Sequence, residues 1–93
     1  NNNIPAKFML HQNYPNPFNP STVIKFEITE GNSITLLNLY DINGRLVKEL
    51  VRSQLNPGIY KYNLNAADLP SGIYFYRLYN NKSYSTKKLT LIK

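Results

Sequence analysis

Residues 12–22, Gln-Asn-Tyr-Pro-Asn-Pro-Phe-Asn-Pro-Ser-Thr, put three prolines, three asparagines and two aromatic rings immediately ahead of a strand pattern. Each proline fixes φ near about −65° and removes a backbone donor, and the residue before it is pushed toward extended geometry. Neither a helix nor a central strand accommodates such a run. Asparagine adds side-chain turns that close onto nearby backbone. The segment is therefore expected to be a rigid, non-repetitive connection. Pro15, Pro17 and Pro20 are read as architectural, and Tyr14 and Phe18 as rings that plug one end of the domain that follows.

The chain has 93 residues, room for one domain that buries roughly two thirds of its unfolded surface. It has no cysteine, which excludes disulfides, thiolate metal sites and a cysteine nucleophile; cysteine usage says little here about compartment. No stretch approaches the roughly 20 apolar residues that span a bilayer, and no leader opens the chain, so no transmembrane segment is expected. The sequence begins at Asn1 rather than Met, in an asparagine-rich tract. Residues 1–7 are read as a linker tail from an upstream segment, and residues 8–93 as the domain.

Eleven basic against five acidic side chains give a formal charge of +6, which raises nucleic acid or an anionic membrane as partners. The distribution argues against both. Lys7, Lys25, Arg45, Lys48, Arg52, Lys61, Arg77 and Lys82 are scattered, and only Lys87 and Lys88 are adjacent, so no stripe follows a phosphate backbone. Most of the eight tyrosines fall at period-two positions that point into a sheet core.

Apolar and polar residues alternate every second position along the chain, with no sustained helical period, which predicts an all-β fold. A short strand is expected at 8–11. The next, at 22–29, places Ile24, Phe26 and Ile28 on one face and Lys25 and Glu27 on the other. Residues 34–40 follow, with the adjacent Leu36 and Leu37 suggesting a bulge. Asp41-Ile42-Asn43-Gly44-Arg45 reads as a hairpin loop in which Gly44 supplies a positive φ, and 46–51 returns. Two strands then open alike, on Pro57-Gly58-Ile59-Tyr60 and Pro70-Ser71-Gly72-Ile73-Tyr74, so Gly58 and Gly72 are read as turn glycines. Tyr60, Tyr62 and Leu64 share one face, as do Tyr74, Tyr76 and Leu78. Asn80-Asn81-Lys82 turns into a final strand over 84–92. About seven strands at this spacing predict an immunoglobulin-like antiparallel β-sandwich in two sheets. Tyr74, just past a corner, is the candidate for a buried tyrosine whose hydroxyl bonds back to upstream backbone.

Catalytic chemistry has little to stand on. His11 is the only histidine and has no placed partner, so it is read as a strand-edge residue. Asp41 and Asp68 precede turns, where they are expected to accept backbone hydrogen bonds. A calcium site from Asp41 and Asn43 is the lesser reading. Glu27, Glu30 and Glu49 lie on strand faces or turns, away from any pocket a paired-carboxylate glycosidase needs. No catalytic residue, metal site or cofactor is assigned.

Residues 13–22, the turn at 40–45, Leu69-Pro70-Ser71-Gly72-Ile73-Tyr74-Phe75-Tyr76-Arg77-Leu78 and the ending Thr86-Lys87-Lys88-Leu89-Thr90-Leu91-Ile92-Lys93 together resemble one family. It is the C-terminal sorting domain of the type IX (Por) secretion system of the Bacteroidetes, type A, which overlaps an Ig-like module of flagellar hook-assembly type. The resemblance runs from about Phe8 to Lys93. It implies a non-catalytic secretion signal attached to an N-terminal passenger. The folded domain is recognised in the periplasm by the outer-membrane translocon and is often removed by a sortase-like peptidase, leaving the passenger at the cell surface or outside. The cut would fall in or just before residues 1–7. Export information in the family lies toward the C-terminal end, which maps onto Gly72, Lys87, Lys88, Leu89, Ile92 and Lys93.

Two questions stay open on these residues. Lys87 and Lys88 either contact a receptor or only guard an edge strand against aggregation, and Gly72 has a backbone role ahead of a contact role. The competing function is an Ig-like carbohydrate-binding or spacer module of a surface protein, whose exposed tyrosines stack on sugars. A monomer is expected in either case.

Overall fold

Side chains that alternate about a strand axis can bury one face only if a second sheet covers it, and the chain meets this requirement with two sheets. The computed structural model describes residues 8–31 and 33–93; the expected linker, residues 1–7, lies outside the described residues. Seven strands follow one another: β1 (Phe8–Leu10), β2 (Ser21–Ile28), β3 (Ile34–Tyr40), β4 (Leu46–Gln54), β5 (Gly58–Asn65), β6 (Gly72–Asn80) and β7 (Ser83–Leu91). No helix is present among the described residues, and none is long and apolar enough to cross a membrane. The sheets run β1-β2-β5 and β4-β3-β6-β7, antiparallel throughout. This is the predicted immunoglobulin-like sandwich, with the fourth strand beside the third in the larger sheet.

The inner faces follow the period-two reading. β2 buries Thr22, Ile24, Phe26 and Ile28, and β6 buries Tyr74, Tyr76, Leu78 and Asn80. Each large apolar side chain fully buried here contributes about 1.5–3 kcal/mol against its exposed state. Phe26 stacks on Tyr60 of β5 with ring centroids 5.5 Å apart. The buried polar pair Asn80 and Thr35 is satisfied internally, Asn80 Nδ2 donating to Thr35 Oγ1 at 3.0 Å.

The bulge expected in β3 lies in its neighbour. β3 pairs with β6 without a shift, burying Thr35, Leu37 and Leu39 and turning Leu36 outward. Against β4 the register slips twice, between Leu37 and Asn38 and between Leu39 and Tyr40, leaving Leu50 and Val47 of β4 as the extra residues. Each unpaired residue re-aims the strand, so Val47, Leu50 and Val51 all reach the core although their spacing matches no strict alternation.

Candidate recognition surface

The proline-rich segment carries the chain from one sheet to the other. His11 N donates to Lys25 O at 3.0 Å, and Tyr14 and Val23 exchange backbone bonds of 3.1 and 3.0 Å, so this part belongs to the smaller sheet. Four residues later, Phe18 N donates to Thr90 O and Ile92 N donates to Phe18 O, both at 3.0 Å, forming a parallel bridge onto β7 of the larger sheet. Asn16 Oδ1 accepts from Thr90 N at 3.0 Å, and Gln12 Nε2 donates to Lys88 O at 2.7 Å. The residues whose amides this work requires are His11, Asn13, Tyr14 and Phe18. The prolines stand at 15, 17 and 20, where the missing donor costs nothing, and the carbonyls of Pro15 and Pro20 serve as acceptors. Pro15 O receives Asn13 Nδ2 and Thr22 Oγ1, and Pro20 O receives Ala66 N.

Tyr76 pins this crossing from inside. Its ring is 0 % exposed; its hydroxyl donates to His11 O at 2.7 Å and accepts from Asn13 N at 2.8 Å. Burial pushes that hydroxyl up to about 12, against the pull of the Asn13 amide. Asn13 is itself buried, with Nδ2 donating to Thr22 Oγ1 and Oδ1 accepting from Gln12 Nε2. Sequence reading singled out neither residue as a hub. Of the two expected plugs, Phe18 is 3 % exposed and fills the core, whereas the Tyr14 ring is 80 % exposed. Tyr14 works through its backbone, because its bonds to Val23 turn the ring outward.

The residues mapped from the resemblance fall into three environments. Leu89 is 1 % exposed and packs in the core, so any part it has in recognition runs through folding. Lys87 and Lys88 point to opposite faces of β7: Lys87 sits opposite Tyr76 on the inner side, half-buried, and Lys88 sits opposite Phe75 on the outer side, exposed. An inward-pointing charge on an edge strand guards it against pairing with another sheet. The third group gathers at one end of the sandwich. Lys93 N donates to Ser71 Oγ at 3.0 Å and Lys93 Nζ to Ala67 O at 2.6 Å, beside exposed Ile92. Gly72, Ser71, Ile73, Ile42, Asp41 and Tyr74 line a cleft of about 370 Å³ there.

The turn residues are placed by backbone geometry. Gly72 has φ +152° and Gly44 φ +81°, both in regions that L residues rarely adopt, with open space where a Cβ would stand. Gly58 opens β5 with an exposed backbone. Tyr74 is buried and donates its hydroxyl to Pro70 O, four residues upstream, at 2.6 Å; burial, then the Asp41 charge, raises its pKa. Asp41 Oδ1 accepts from Asn43 N and Arg45 N, and Oδ2 from Arg45 Nε. These bonds, the Arg45 amide foremost, hold its carboxyl below the usual range, and they occupy the oxygens a calcium ion would need. No group of three or more metal-ligating side chains occurs among the described residues. Asp68 departs from expectation: Asn65 Oδ1 accepts the turn amide of Ala67, and Asp68 pairs with Lys48 at 3.6 Å.

The outer faces carry groups that sequence reading left scattered. On the larger sheet, Glu49, Asn38, Arg77 and Thr86 form one row across four strands, and Leu46, Tyr40, Phe75 and Lys88 form the next. Arg77 lies over the rings of Tyr84, Tyr40 and Tyr79, at 4.8, 5.5 and 5.9 Å to the centroids. Tyr40 and Tyr79 share a 2.9 Å hydroxyl contact. Bonds from Tyr40 and then Arg77 lower the Tyr79 pKa, while burial and the Tyr79 bond raise that of Tyr40. The signal was present as the complement of the core pattern, since Phe75, Arg77 and Tyr79 alternate with buried Tyr74, Tyr76 and Leu78. On the smaller sheet Lys25 stands directly opposite Lys61, in a cleft of about 460 Å³ with His11, Gln12 and Tyr14.

The profile of the family described as "Secretion system C-terminal sorting domain" matches residues 12–93. No curated protein matches the chain significantly. Among solved structures, the crystal structure of dimeric latent PorU from Porphyromonas gingivalis superposes with a TM-score of 0.66 at 20 % identity, covering 91 % of this chain and 9 % of that one. At that identity the likeness establishes the fold, and the chain spans about a tenth of that protein's length.

Proposed function

This chain belongs to the family of secretion system C-terminal sorting domains, and from that premise we propose that it works without catalysis, as a folded address read by the outer-membrane translocon of type IX secretion. A sorting domain directs export to the cell surface or outside. The finer steps are our reading. An N-terminal passenger is carried through the periplasm, and a sortase-like peptidase cuts in or before residues 1–7, which lie outside the described residues. The domain, taken as residues 8–93, acts as a monomer.

The observation that carries this reading is the family match over residues 12–93. Its physical sense comes from the clasp between residues 12–18 and β7. A label read after folding presents a fixed surface, which lowers the ordering cost of docking. Here β7, paired along its length with β6, and Ile92 just beyond it receive further bonds from the proline-rich segment, at the backbone of Lys88, Thr90 and Ile92. Gly72 supports the same end through its backbone, with Lys93 held against the adjacent Ser71. A sugar-binding role finds less support, because the most exposed tyrosines, Tyr14 and Tyr84, sit beside different sheets and form no shared platform.

Fusing the 93 residues to a periplasmic reporter, in a host with the type IX machinery, is expected to deliver the reporter to the surface. Retention of a folded fusion in the periplasm would overturn the proposal. Lys88→Glu is expected to reduce surface delivery more than Lys87→Glu, because only Lys88 faces outward and like-charge contact opposes docking.

A further inference from the structure

Building on the sorting-signal reading, we propose that the outer face of the larger sheet is the docking site for an extended acidic peptide segment of the export machinery, with Arg77 as its anchor. Arg77 is held as a side chain prepared for a ligand. Nε donates to Thr86 Oγ1 at 2.7 Å and Nη1 to Tyr79 OH at 3.4 Å, with three tyrosine rings packed around the guanidinium. No described residue accepts from Nη2. The planar fork matches a carboxylate with two parallel bonds, and a fork already fixed loses little freedom when a ligand arrives.

The sheet withholds the partner this charge would ordinarily have. Glu49 stands in the same row, yet its carboxylate is taken by Arg52 through three contacts of 2.6, 3.0 and 3.1 Å. Between them Asn38, 7 % exposed, keeps its Oδ1 buried without a donor. A cleft of about 320 Å³ opens beside the guanidinium, lined by Tyr40, Gly44, Phe75, Arg77 and Thr86. It accommodates one side chain.

Lys88 gives the ligand its second contact. It lies two residues along β7 from Thr86, the cross-strand partner of Arg77, and such diagonal neighbours are roughly 7–8 Å apart. Alternate side chains of an extended peptide repeat every 7 Å or so. Two carboxylates at positions i and i+2 of one strand therefore reach Arg77 and Lys88 together, over a floor of aromatic rings. Charge complementarity points the same way, since the chain carries +6 overall. Lys25 and Lys61 on the smaller sheet are also cationic, but no contact with a described residue positions either ammonium, so they lack the fixed geometry that selects a carboxylate.

The test is an amide-shift NMR titration of the whole chain with the capped pentapeptide GDSDG, using its neutral counterpart GNSNG and free glucuronate as controls. Saturable shifts at Phe75, Arg77, Thr86 and Lys88 with GDSDG alone are expected. R77K keeps the charge and loses the fork, and binding is expected to weaken at least tenfold, roughly the worth of one charge-assisted bond. K88Q, an exposed change that leaves the Arg77 packing in place, is expected to weaken it several-fold. Equal response to GNSNG, shifts centred on Lys25 and Lys61, or tighter binding of glucuronate would each overturn the assignment. Export separates this inference from the reading beneath it. If the wild-type fusion stays in the periplasm, the sorting reading falls. If it reaches the surface and R77K reaches it equally, the Arg77 site falls alone.

Discussion

Tyr76→Phe removes one oxygen from a fully buried side chain and strands two backbone groups. Asn13 N loses its acceptor at 2.8 Å in a buried position, and His11 O loses its donor at 2.7 Å in a half-buried one. A buried amide left unpaired costs about 1–3 kcal/mol, and a neutral bond that water can partly replace about 0.5–1.5 kcal/mol. The expected loss is about 2–4 kcal/mol. Tyr74→Phe is the control, since its hydroxyl bonds only to the carbonyl of exposed Pro70 and a loss of about 0.5–1.5 kcal/mol is expected. Urea unfolding of the three proteins, with equal slopes, reads both differences from the midpoints. Titration tests the burial of the same hydroxyl. The folded Tyr76 hydroxyl stands at about 12 against an ordinary 10.0. A raised folded pKa means that its stabilisation is fully present below pH 10 and is lost as pH climbs through the folded value. Two units at 1.36 kcal/mol each set an upper limit of about 3 kcal/mol on the penalty burial places on the ionised hydroxyl, a quantity separate from the two bonds, since the Asn13 amide pulls the pKa down. The gap between wild type and Tyr76→Phe is therefore expected to close between pH 10 and 12. Equal midpoints for Tyr76→Phe and Tyr74→Phe, or a gap that stays constant across that window, would refute the claim that this hydroxyl holds the sheet crossing.

Three further outcomes follow from the same geometry. Phe18→Ala is expected to cost about 3–5 kcal/mol, the range for a buried aromatic, while exposed Tyr14→Ala stays within about 0.5 kcal/mol of wild type; urea midpoints distinguish them, and equal losses would restore Tyr14 as a plug. Gly44→Asn is expected to cost a few tenths of a kcal/mol, because asparagine tolerates the left-handed region near its φ of +81°. Gly72→Asn and Gly72→Ala are both expected to cost about 1–3 kcal/mol at φ +152°, and thermal melts giving the opposite order would reject the backbone assignment. Lys61→Glu replaces a like-charge pair directly across from Lys25 with an opposite one; a gain of about 0.2–1 kcal/mol is expected at low salt, shrinking as salt rises, and a loss of stability would show that the two ammonium groups do not face each other.

What could be read from residues alone tracks how local each cause is. β2 and β6 alternate plainly because one face is buried along their whole length, and the Asp41–Gly44 hairpin and the Tyr74 corner close within five residues. β4 hid its inward residues because two bulges break its period, and a bulge depends on the partner strand's register. Tyr76 looked like any core tyrosine. Its hydroxyl partners lie 65 and 63 positions away, so nothing near it in the chain distinguished it from Tyr74. Lys87 and Lys88 looked like one basic pair, although period two already places adjacent strand residues on opposite faces. Arg77 looked like one of several scattered cations for the converse reason: its neighbours Tyr40, Tyr79, Tyr84 and Thr86 lie mostly on other strands.

The same long separations bear on how a sorting label can be trusted by its reader. Lys88, Thr90 and Ile92 are fixed by contacts from residues 12–18, and those contacts depend on Tyr76 reaching His11 and Asn13. The far end of the chain is thus held on one side by β6 and on the other by the near end, once that has crossed between the sheets. A chain in which residues 12–18 have not closed lacks these bonds to Lys88, Thr90 and Ile92. Machinery that requires the ordered end would discriminate by folding state without a separate check. On this reasoning Tyr76→Phe and Phe18→Ala, which replace only buried side chains, are expected to lower export only as far as they lower the folded fraction, and stabilising the domain elsewhere to restore it. Lys88→Glu is expected to lower export at unchanged stability, with no rescue by added stability. Measuring both quantities on the same variants separates the scaffold from the surface that is read.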